Sequence, residues 1–220
     1  MSKSLNELKY SVLESVSNFE ITDDSPYSLL WVEDQIITQN HSLIREAYNN
    51  RRLDEYLYMT DEKLEIKPLD KSFQVDGIPI SNKTDFCYVD IKTPLTGLRG
   101  REIDVVSNIG YSVVFSRTTL KRLIRGSSGY YSLNKPTYAP YNNRIFMRSD
   151  SVAGTKFISI SAIWTDPREV SSWDPDGHFP TPSEKKLEML TIQHIDHALQ
   201  HPMDLINDGQ RAFSQPQADE

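Results

Sequence analysis

The chain of 220 residues has one cysteine, Cys87, so it can form no intrachain disulfide, and folding in a reducing compartment is expected. It lacks any apolar run near the roughly 20 residues that span a bilayer. No apolar core follows the polar start at Ser2, Lys3, Ser4 and Asn6, so neither a membrane span nor an export signal is expected. Positive charge is in deficit, with 24 Lys and Arg against 31 Asp and Glu for a net charge of −7. That disfavours a free-standing nucleic-acid binder, whose affinity rests on a basic surface, but does not exclude a surface past which DNA slides. There is no G-x-S-x-G elbow, no Walker A loop, no dinucleotide fingerprint and no internal repeat. The chain is expected to be non-enzymatic and to need no cofactor.

What is present starts with ordinary globular composition, 38% hydrophobic and 25% charged. The strongest pattern runs from Ser4 to Tyr48 and predicts two amphipathic helices. Leu5, Leu8, Val12, Val16 and Phe19 fall on one face of the first, from about Leu5 to Asn18. The second opens after Asp23 and Asp24, with Ser25 as N-cap and Pro26 in the first turn, and ends near Tyr48. In it Leu29, Ile36 and Leu43 recur every seventh residue, flanked by Leu30, Ile37 and Ile44. Two such columns make a stripe wider than one neighbouring helix covers, and Glu33 and Asn40 lie inside it. These eight residues are the candidate interface, with one flank expected to pack on its own domain and the other on a partner.

Short apolar runs broken by Pro, Gly and Asn follow. Candidate strands are Leu64–Ile66, Phe73–Val75, Phe86–Ile91, Ile103–Val106, Ser112–Phe115, Arg144–Met147 and Phe157–Trp164. Arg117 to Arg125 reads as a short helix. Asp166-Pro167-Arg168-Glu169 and Thr181-Pro182-Ser183-Glu184 are helix starts, the second leading to a helix that Pro202 stops. The expected fold is α+β. A helical hairpin (1–55) and a C-terminal helical segment (166–206) pack together around a β-rich middle (56–165), a small antiparallel barrel or sandwich, with a polar tail (207–220).

Four groups invite a chemical reading. His194, His197 and His201 span about 60° of a helix and are the metal candidates, although Pro202 disfavours helical geometry at His201 and a polar stripe explains them as well. Cys87 shares the alternating face of Val89 and Ile91, as a buried inert thiol would. Gly97-Leu98-Arg99-Gly100-Arg101 resembles a phosphate cradle but reads better as a hairpin turn. Arg117, Lys121, Arg122 and Arg125, followed by Tyr130, Tyr131, Tyr138 and Tyr141, form a basic and aromatic cluster suited to DNA, a sugar or a partner; a solvated helix face and a packed loop are the alternative.

The order of these pieces carries a resemblance. Leu5-Asn6-Glu7-Leu8-Lys9-Tyr10-Ser11-Val12-Leu13, the polar turn and a second helix closing on Leu43-Ile44-Arg45 resemble the head-to-tail connector, or ring, proteins of crAss-like and related short-tailed phages. The strand Ile158-Ser159-Ile160-Ser161-Ala162-Ile163-Trp164, the Asp166-Pro167 turn, Phe179-Pro180-Thr181-Pro182, a last helix, and Asp204 and Asn207 are similar in the second half. The resemblance implies a structural virion protein at the head–tail junction, assembled in the host cytoplasm and forming a ring, a dodecamer by analogy. Its implied partners are copies of itself, the portal protein and other connector or tail rings, with double-stranded DNA passing through the lumen without sequence-specific contact. The alternative is a tail binding module that recognises a glycan or another virion protein through the tyrosine-rich loop.

Overall fold

A computed structural model describes residues 3–17, 28–69, 74–75, 78–79, 86–125 and 136–200. The expected cap at Ser25, the acidic pair before it, Phe73, Tyr130, Tyr131, His201 and the tail lie outside the described residues. The first helix, α1 (Leu5–Val16), opens on a capping box. Ser4 Oγ accepts from the Glu7 amide, while the Glu7 carboxylate accepts from the Ser4 amide at 2.8 Å. The second, α2 (Leu29–Asn49), is capped by Ser28, whose hydroxyl accepts from Trp31 N at 3.1 Å. Its cap is therefore not Ser25, and the helix begins later than expected. The last helix, α4 (Glu184–Gln200), takes its cap from Ser183, whose hydroxyl accepts from the Lys186 amide.

Leu5, Leu8, Val12 and Leu13 of α1, Val32, Ile36, Ile37 and Leu43 of α2, and Leu187 and Ile195 of α4 share one apolar cluster, plugged by Phe179. These residues recur at helical spacing, so each helix presents a single stripe to the other two.

The middle of the chain is β-rich and the protein is α+β. Its strands are β1 (Met59–Glu65), β2 (Lys67–Pro68), β3 (Gln74–Val75), β4 (Ile78–Pro79), β5 (Phe86–Asp90), β6 (Ile103–Asn108), β7 (Ser116–Arg117), β8 (Thr137–Tyr141), β9 (Arg144–Arg148) and β10 (Phe157–Ala162), with the short helix α3 (Leu120–Arg125) after β7. One sheet has the order β1-β10-β6 and another the order β2-β5-β9-β8-β7, while β3 and β4 form a separate ribbon. A common core joins the two larger sheets through Cys87, Val89, Ile145 and Met147 on one side and Ile103, Val106, Ile158 and Ile160 on the other.

The chain passes between these sheets at two corners. Ile66 N still bonds Lys156 O beside β10, and the next residue, Lys67, already pairs with β5. Across the molecule Phe115 N bonds Val106 O of β6, and Ser116 N bonds Pro136 O beside β8. Each corner carries an apolar residue inward, which is how sheets that share one core turn from one layer to the next. No closed barrel forms among the described residues.

Two expectations for the β region need correction. Gly97–Arg101 is no hairpin turn, because β5 and β6 belong to different sheets and the loop crosses between them. The segment with Tyr138 and Tyr141 is no loop either. It is strand β8, joined to β9 by the two-residue turn Asn142-Asn143, with Asn142 at φ 51°.

Candidate functional site

Helix α2 sits between two layers of its own protomer. Ile36, Ile37 and Leu43 are buried against α1 and α4. Ile44 is buried on the other flank, against Leu57, Leu95, Leu98 and Ile163 from the turns and connections around the sheets. Asn40 is buried too, its Nδ2 donating to Pro180 O at 2.9 Å. The flank expected to meet a partner is thus covered within the same chain, and Ile36, Ile37, Asn40, Leu43 and Ile44 present no open surface to one. A stripe too wide for one neighbour here has two neighbours in the same chain. Leu29 and Leu30 differ, at 45% and 63% exposed.

Glu33 is half-buried and belongs to an ion-pair network at the same end of α2. Lys9 Nζ lies 2.5 Å from Glu33 Oε1. Arg168 reaches Glu33 at 3.4 Å, Asp34 at 2.8 Å and Asp166 at 2.8 Å. Asp166 caps the 3-10 turn Pro167–Glu169 by accepting from the Arg168 amide. One guanidinium therefore pins α2 to the segment that leaves β10.

Two turns further along, His41 Nε2 donates to the Thr165 carbonyl at 2.6 Å. Burial pushes the His41 pKa below its ordinary value, against the opposing pull of that carbonyl and of Asp166. The unfolded chain therefore binds a proton here more readily than the folded one. Stability contributed by neutral His41 is present above the unfolded pKa and falls as pH drops through the window between the unfolded and folded values. His41→Gln, which keeps a donor for Thr165, is expected to flatten the loss of stability on acidification from neutrality toward pH ~5.5, read from urea midpoints.

The basic and aromatic cluster is split by the fold. Tyr138 is buried, so its ring offers no open surface to a ligand, and burial pushes its pKa up to about 12. Lys121 and Arg122 lie exposed on α3, and of Arg125 only the backbone is described. Arg117 and Tyr141, however, meet at one cleft of about 330 Å³ with Thr93, Pro94, Glu102, Ile103, Asn142 and Asn143. Gly100, in the loop that resembled a phosphate cradle, supports this cleft. Its carbonyl accepts from Arg117 Nη1, its amide donates to Glu102 Oε1 at 3.0 Å, and a Cβ on it would lie 3.1 Å from that guanidinium. At φ 96° it holds a backbone conformation suited to glycine.

His194 and His197 are exposed on α4, and no group of three or more metal-ligating side chains occurs among the described residues. Cys87 is buried with its thiol 3.7 Å from Met147 O, and burial pushes its pKa up to about 11. No helix among the described residues is long and apolar enough to cross a membrane.

An apolar patch escaped the sequence reading. Residues 109–114, read partly as a strand at Ser112–Phe115, form a loop folded back on β6. Asn108 shapes it, its N donating to Val113 O at 3.1 Å and its Oδ1 accepting from Val113 N at 2.8 Å. Ile109, Tyr111, Val113 and Val114 are exposed on this loop. The register Ile158↔Asn108 sets Phe157, also exposed, opposite Ile109. The signal lay in Asn108-Ile109-Gly110, a turn inside an otherwise apolar run.

No protein-family model matches the chain, and no curated protein matches it in sequence.

Proposed function

We propose that the chain is a non-catalytic subunit of a ring in the head-to-tail connector of a tailed phage. In this reading it joins portal to tail at the virion's head–tail junction and contacts neighbouring connector or tail rings. It lines the channel through which double-stranded DNA passes. The observation that carries the reading is the apolar loop after β6: Ile109, Tyr111, Val113, Val114 and Phe157 are each 39–55% exposed at one end of one sheet. A contiguous patch of this kind marks an interaction surface more often than an idle one. Leu29 and Leu30 in the first turn of α2 supply a second, different apolar surface. Two unlike surfaces are what a head-to-tail contact needs, and such contacts close into rings when the rotation fits. The net charge of −7 suits a lumen that repels the DNA backbone.

Light scattering and electron microscopy of the purified protein, alone and mixed with the portal protein of the same virion, test this. Closed rings with a mass that is a multiple of 25.3 kDa are expected. The combined substitution Leu30→Glu and Val114→Asp is expected to leave a folded monomer, because each change places a charge in an apolar contact. A wild-type monomer indifferent to portal would remove the proposal.

A further inference from the structure

The Arg117–Tyr141 cleft carries an inference beyond assembly. Its walls are pinned by backbone bonds: Ile91 N donates to Asn143 O at 3.0 Å, and Thr165 N donates to Thr93 O at 2.9 Å. Asn143 Nδ2 donates to Thr93 Oγ1 at 2.9 Å, which leaves the Asn143 side-chain oxygen as an acceptor. The Tyr141 ring is braced edge-on by Phe146, with centroids 6.5 Å apart. Both hydrogen bonds that Arg117 makes with described residues leave from Nη1, to Gly100 O and to Glu102 Oε2, so its Nε and second Nη remain available as donors.

Apolar surface comes from Pro94, Ile103 and Pro140, and the volume falls at the small end of the ~300–1,000 Å³ typical of ligand sites. We propose that this cleft binds a neutral saccharide, one pyranose unit or the end of a chain. A pyranose presents apolar C–H faces and ringed hydroxyls that donate and accept at once. The cleft answers with apolar proline and isoleucine surface, a guanidinium edge, amide oxygens and a carboxylate. Glu102 offsets the charge of Arg117 at 3.5 Å, so a multiply charged phosphate meets no net positive field. Tyr138, on the neighbouring strand position facing the core, takes no part.

The test is amide NMR of the full 15N-labelled chain titrated separately with glucose, galactose, mannose, N-acetylglucosamine and inorganic phosphate. At least one sugar is expected to give saturable shifts centred on Thr93, Asn142 and Asn143, with phosphate giving none. Arg117→Met and Asn143→Ala are each expected to weaken that sugar about tenfold, while Tyr111→Ala, outside the cleft, leaves it unchanged. Saturation by phosphate without sugar, shifts centred elsewhere, or no sugar response in the wild-type chain would each overturn the assignment. Because the primary readout is the wild-type spectrum, a variant that fails to fold does not rescue the idea. Ring formation is scored separately by mass, so loss of either result leaves the other interpretable.

Discussion

Phe179→Ala is expected to destabilise the protein by about 3–5 kcal/mol, read as a lowered urea midpoint with an unchanged slope. The side chain is fully buried although it lies in a loop ahead of α4. Its ring meets Trp173 edge-on with centroids 6.3 Å apart, and it fills the space where α1, α2 and α4 converge. Its amide also donates to Lys3 O at 3.1 Å, tying the loop to the start of α1. That tie holds the backbone in place, so the helices have little freedom to collapse into the cavity. Phe179→Leu is expected to recover more than half of the loss by refilling most of the volume. A loss under about 1 kcal/mol in Phe179→Ala would mean that the helices close the gap and that Phe179 is not their plug.

The helical half of the fold could be read because period and burial coincide there. Leu5, Leu8 and Val12 mark one face of α1, and that face is the buried one. For α2 the period was legible but the identity of the neighbour was not. Periodicity reports how wide a buried stripe is and says nothing of what covers it, and the wide stripe of Ile36, Ile37, Leu43 and Ile44 is closed by helices on one side and by the connections between strands on the other. Strand β10 was visible from its alternation of Ile158, Ile160 and Ala162. Ser159, on the opposite face, is buried as well, and alternation could not reveal this. Strand β8 was hidden by Pro136 and Pro140, residues usually read as strand breakers. The cleft was partly legible. Arg117 and Tyr141 stood out by type, but Thr93 and Glu102 reach it from other elements that only the sheet-to-sheet crossings bring together.

Arg168→Ala is expected to cost about 2 kcal/mol at neutral pH, between the small worth of exposed ion pairs and the larger penalty for breaking buried ones. The guanidinium is 27% exposed and holds Glu33, Asp34 and Asp166 together. Without it, three carboxylates face one another with only Lys9 to offset Glu33. Burial acts to raise the Asp166 pKa, but the Arg168 side-chain and backbone hydrogen bonds outweigh it and leave the carboxyl below its usual value. The sign follows from that depression. The stabilisation is present above the unfolded carboxylate pKa and disappears as pH falls through the folded one, so wild type and variant should converge in acid. Arg168→Lys is expected to recover less than half, because one ammonium cannot fork across three carboxylates as the planar guanidinium does. A cost that stays constant from neutral pH to pH ~3 would show that Arg168 acts by packing its stem and not by pairing these acids.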